Sequence, residues 1–165
     1  MADLVKLRTV FYSLVLGFGV VQTIISSFCG IFDGFSDLRL LFGRIALGVS
    51  VPTWVWTSVL LAYHNRPLQS HIFTKKTLHL ISFVLFAIVW LVIGIVLLTQ
   101  APTECDFERY SDGLAGIWCG FTAATGTGGL VLAILCATTA VFVHRSQASE
   151  EGNIAGPQQK ADEER

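Results

Sequence analysis

Residues Leu80 to Leu98 read LISFVLFAIVWLVIGIVLL, nineteen positions with no charge and a single hydroxyl, at Ser82. A helix rises about 1.5 Å per residue, so this stretch alone covers roughly 28 Å, close to the about 30 Å of a bilayer's hydrocarbon core. The uncharged run extends beyond it, from Leu80 to Thr103 between His79 and Glu104. Three more such runs flank it: Thr9 to Phe32, Ile45 to Tyr63, and Gly113 to Val143. Each is long enough to cross a membrane, or within a residue of it.

The composition agrees. Of the 165 residues, 53% are hydrophobic and 14% charged, and mean hydropathy is +0.63. A soluble domain carries about 25% charge. A formal net charge of −1 leaves no basic excess to neutralise a nucleic-acid backbone. Disordered chains, nucleic-acid binders and ordinary cytosolic enzymes are therefore excluded. The first run exceeds the 7–15 residues of a signal-peptide core and is not closed by a small-x-small cleavage site, so it reads as a retained anchor helix.

The expected fold is all-α, an integral-membrane four-helix antiparallel bundle with helices at about 9–32, 44–63, 78–100 and 114–143. Residues 1–145 form the membrane domain, and residues 146–165, polar and rich in Gly, Gln and acids, are expected to be a disordered cytosolic tail. Lys6, Arg8, Arg66, Lys75, Lys76, Arg145, Lys160 and Arg165 fall on one side, against Arg39, Arg44 and Arg109 on the other. Eight against three places both termini in the cytosol. Short connections favour antiparallel neighbours.

In lipid, helices associate through close backbone approach. Gly116, Gly120, Ala124 and Gly128 recur every four residues along the last helix, a small-residue stripe expected to pack within the bundle or to form a seam between copies. Gln22 is read as a hydrogen bond to a neighbouring helix. Pro52 removes one helical bond from the second helix, and Trp54 and Trp56 follow it near mid-bilayer. Arg39 and Arg44 are read as snorkelling to the outer headgroups.

Cys105 and Cys119 flank an acidic outer loop (Glu104, Asp106, Glu108, Asp112). A disulfide between them would tie that loop to the last helix in an oxidising compartment; Cys29 is an alternative partner for either, and spacing alone leaves the connectivity open. Cys136 lies within the last helix. There is no Cys-x-x-Cys, and His64, His71, His79 and His144 fall at helix ends or in a loop rather than facing one another inside helices. No acidic residue lies in the four runs, and no nucleophile-base arrangement is present. No catalytic residues, cofactor or metal are expected, and the chain is not expected to be an enzyme.

The Lys6 and Arg8 pair before the first helix, the short first loop from Asp33 to Gly43, and Cys105 with Cys119 at the entrance to the last helix resemble the MARVEL-domain tetraspans, particularly the small fungal kind. The resemblance covers Val5 to Arg145. Claudin-like families carry a Gly-Leu-Trp…Cys signature in the first outer loop, whereas this chain has Gly116-Ile117-Trp118-Cys119 beside the second, which argues against them. The resemblance implies a non-enzymatic organiser of membrane domains or vesicle trafficking at the plasma membrane or in the secretory pathway. Its partners would be membrane lipids (sterol among them), other membrane proteins or further copies of itself, and no nucleic acid. Two alternatives remain from the residues. One is an accessory subunit or small oligomeric channel with Thr122, Thr125 and Thr127 lining its pore. The other is a redox or haem protein using the cysteines or histidines.

Overall fold

The structure is a computed structural model that describes residues 2–32, 35–63, 76–106 and 115–163. Four helices make up the described regular structure: α1 (Ala2–Ile31), α2 (Asp37–Tyr63), α3 (Lys76–Glu104) and α4 (Ala115–Glu163). Each holds a segment long and apolar enough to cross a membrane: Thr9–Ile31, Asp37–Tyr63, Thr77–Glu104 and Gly116–Arg145. His64, His71, Arg66, Lys75, Glu108, Arg109 and Asp112 lie outside the described residues.

Four boundaries differ from those the sequence predicts. α1 begins at Ala2 rather than near residue 9. α2 begins at Asp37 rather than near residue 44, because Ser36 caps it. The Ser36 hydroxyl oxygen accepts from Arg39 N at 3.4 Å, and the Ser36 carbonyl accepts from Leu40 N at 3.2 Å. An N-cap serine satisfies a donor that the first turn leaves unpaired. α3 runs on through Pro102 to Glu104, so Glu104 is a helical residue and not part of a loop. α4 continues past the membrane span to Glu163, where composition points to an unfolded tail. Ala148, Gln158, Gln159 and Lys160 favour a helix, whereas Gly152, Gly156 and Pro157 oppose one.

Packing follows two intimate pairs, α1 with α2 and α3 with α4, joined by α1 against α4; α2 meets α3 thinly. Glycine makes both pairs close. A methyl group added at Gly30 would lie 2.8 Å from the Gly43 backbone, and one at Gly43 would lie 2.6 Å from the Cys29 carbonyl oxygen. Likewise a methyl at Gly94 of α3 would lie 3.0 Å from the Gly126 carbonyl oxygen of α4. At Gly30 and Gly43 backbone would have to shift to admit a side chain, and at Gly94 the neighbouring helix would have to give.

The core is threaded by α3. Phe83, Trp90 and Leu97 are fully buried at seven-residue spacing, with Ile93 beside them. They meet Leu132, Cys136 and Val143 of α4 and Tyr12 and Val15 of α1 in one cluster. α2 runs helically through Pro52; beside it Thr53 Oγ1 donates to Val49 O at 2.7 Å and Ser50 Oγ to Leu47 O at 2.8 Å.

Candidate functional site

Arg39, near the start of α2, and Glu104, the last residue of α3, form a buried ion pair. The side chains of Arg39 and Glu104 have no exposure to solvent, and Arg39 Nε lies 4.0 Å from Glu104 Oε2. Both have further partners. Glu104 accepts from Ser36 N at 2.9 Å and from Phe35 N at 3.1 Å. These amides sit at the N-terminus of α2, where the helix dipole and unpaired N–H groups favour an anion. Ser36 Oγ in turn donates to Gln100 Oε1 at 2.8 Å, tying the cap to α3.

Arg39 reaches three elements. Its Nε donates to Thr122 Oγ1 of α4 at 2.9 Å, and its Nη1 donates to Phe32 O at 3.1 Å, just past α1. Its guanidinium lies 5.1 Å from the ring centroid of Trp118, a cation–π distance. Nη2 has no hydrogen-bond partner among the described residues. Arg44 Nε donates to Gly30 O at 3.2 Å, so both arginines serve carbonyls at the end of α1, which lack intrahelical donors. The snorkelling expectation is corrected for Arg39: its head turns into the protein because Glu104, Thr122 and Trp118 replace the water it gives up.

Covalent geometry frames the cluster. Cys105 and Cys119 form a disulfide with a Cα–Cα distance of 4.8 Å. Glu104 precedes one half-cystine and Trp118 precedes the other, so the two groups flanking the Arg39 guanidinium are anchored to the same cross-link. Cys29 and Cys136 are free thiols and buried.

A second polar contact joins α1 to α3, where Tyr12 Oη lies 2.8 Å from His79 Nδ1 and the Tyr12 ring packs edge-on against Phe83. His79 is thus an interior residue, whereas His144 is exposed near the end of α4's span. Midway, Gln22 Nε2 donates to Thr125 O at 2.9 Å, an α1–α4 link, and Trp56 Nε1 donates to Ser82 Oγ at 2.9 Å, an α2–α3 link. Among the described residues, no group of three or more His, Cys, Asp or Glu is placed to hold a metal ion.

The stripe on α4 divides. Gly128 lies directly against Gln22 of α1, but Gly120 faces open space, Gly116 is exposed and Ala124 is half-buried. The close contact with α3 is made instead by Gly126 and Gly129, which meet Gly94. A four-residue count starting at Gly116 passes over both. Thr122 and Thr125 are fully buried, and Thr127 is exposed with its hydroxyl bonded to its own helix at Ala123 O.

Four apolar spans enclosing their own polar groups define an integral, multi-pass membrane protein. No family model, curated protein or solved structure matches the chain.

Proposed function

We propose that this chain is a non-enzymatic, MARVEL-like tetraspan that organises membrane domains or trafficking vesicles by lateral association with lipids, other membrane proteins or its own copies. It does so as an antiparallel bundle with both termini in the cytosol, in the plasma membrane or the secretory pathway. The observation that carries this reading is the inside-out division of chemistry. Arg39, Glu104, Gln22, Thr53, Thr57, Thr122 and Thr125 are buried, whereas large apolar side chains such as Val10, Ile24, Leu41, Leu85, Ile95 and Ile134 project outward. Such a surface meets acyl chains or other helices, and the bundle's polar groups are spent on holding it together.

Antiparallel order is supported by Gly19 meeting Trp54 while Gly30 meets Gly43, since position advances along α1 as it recedes along α2. The oxidised Cys105–Cys119 pair suits an outer, oxidising side, as does the basic excess on the opposite side. The test is native mass spectrometry of the full chain in mild detergent with bound lipid retained. Monomers or dimers carrying sterol or another defined lipid are expected. A discrete ring of four or more copies that conducts ions would overturn the reading in favour of a pore.

A further inference from the structure

The outer surface where α3 and α4 meet is cut by an apolar groove. Small residues form its floor, Ala87 on α3 and Ala133, Ala137 and Ala140 on α4. Larger neighbours stand up on either side as ridges, Val84 and Ile88 along α3 and Ile134 and Val141 along α4. All four ridge residues are exposed, Ile134 most of all at 65%. The hollow nearer the end of α4's span measures about 400 Å³ and continues into a second of about 220 Å³, the two sharing Ala87, Ile88 and Ala137.

The mouth of the groove differs from its length. His144 and Arg145 line it there, and Arg145 is the last residue of the membrane-spanning segment Gly116–Arg145. From Arg145 to Ala133 the helix covers roughly 18 Å, slightly more than the about 15 Å of hydrocarbon in one leaflet. The groove therefore starts at headgroup depth with a cation and ends near the bilayer midplane without one.

We propose that this groove is a binding site for an anionic phospholipid of the cytosolic leaflet. One acyl chain lies on the alanine floor, and the headgroup meets the Arg145 guanidinium, whose planar fork matches phosphate oxygens and whose charge favours a headgroup of net negative charge over a zwitterion that neutralises its own phosphate, with His144 beside it. Charge complementarity selects the occupant, because the cytosolic leaflet carries the anionic lipids. A second copy of the chain fits less well. Inserted in the same orientation and paired about a two-fold axis on this face, it would bring its own Arg145 to the same depth beside the first. The inference deepens the lateral-association reading and rests on it.

The test compares retention of phosphatidylserine and phosphatidylcholine with identical acyl chains on the full-length protein, by native mass spectrometry. The wild type is expected to retain phosphatidylserine preferentially. R145Q is expected to reduce that retention about fivefold, the scale of one basic residue at a membrane surface. A137F, which fills the floor, is expected to lower retention of both lipids. V21F, on an exposed position of α1 away from the groove, is expected to leave both unchanged. R145Q sits at the membrane edge, so its effect is readable even where A137F does not fold. Equal retention of the two lipids by the wild type, or wild-type retention by R145Q, would overturn the proposal. So would an A137F protein that loses a dimer but keeps its lipid, since the face would then be an interface between copies. Lipid held elsewhere, insensitive to these variants, sinks the groove and leaves lateral association standing, whereas a conducting ring sinks the broader reading itself.

Discussion

Arg39 shows what a buried charge demands inside a membrane protein. Removing an ion from water is costly, and the cost is met only when the charge is both paired and hydrogen-bonded. Arg39 has Glu104 at 4.0 Å, Thr122 and Phe32 as acceptors and the face of Trp118. Truncating one partner strands the other, so E104A and R39M are each expected to destabilise by about 3–5 kcal/mol. The double variant R39M/E104L, which strands neither charge, is expected to recover much of that loss. Thermal unfolding of the purified protein in one detergent checks the series, and a double variant less stable than both singles would refute the account. In the sequence Arg39 looked like any interfacial arginine, because its partner lies 65 positions further along the chain.

At the scale of the helices, glycines decide which faces meet. The α1–α2 contact closes on Gly30 and Gly43, where a methyl at Gly43 would lie 2.6 Å from a backbone oxygen and backbone has no rotamer through which to yield. G43A is therefore expected to cost about 1–3 kcal/mol by overpacking. G120A is expected to cost nothing, since nothing lies within 4 Å of the added carbon. Melting curves of the two variants side by side test this, and a larger loss for G120A would restore the stripe as a packing element. Counting residues on α4 showed that small side chains were there to pack; it did not show which of them would. Gly126 and Gly129 were selected by the position of Gly94 on α3, and no local pattern in α4 carries that information.

Over the whole molecule, the disulfide and the ion pair act on the same end. A 14-residue separation between Cys105 and Cys119 corresponds to about 3 kcal/mol of loop-closure entropy removed from the unfolded chain. The paired C105S/C119S variant is expected to lose about that much. Because Glu104 and Trp118 each adjoin a half-cystine, R39M is expected to cost less in that background than in the wild type, a coupling that a double-mutant cycle measures. Strict additivity would show that the cross-link does not hold the Arg39 site in place. The topology has its own check. Protease added to the cytosolic face of sealed vesicles is expected to remove residues beyond Arg145 and to leave Cys105–Cys119 protected, whereas cleavage from the opposite face would invert the orientation.

Length and hydropathy were enough to place four spanning helices, because any segment crossing hydrocarbon must satisfy its own backbone hydrogen bonds and be apolar for about twenty residues. Those are local requirements, and they are written locally in Leu80 to Leu98 and its three counterparts. Which face of each helix turns inward is another matter. α3 is apolar all round, so no periodicity distinguishes Phe83, Trp90 and Leu97, which are buried, from Leu85, Ile88 and Ile95, which are exposed. Lipid is as apolar as leucine, so hydrophobicity cannot choose between a neighbouring helix and the bilayer. That choice was made by shape at the glycines, by hydrogen bonding at Gln22 and His79, and by the pairing of Arg39 with Glu104. Each of these joins positions far apart in the chain, and only the tertiary structure brings them together.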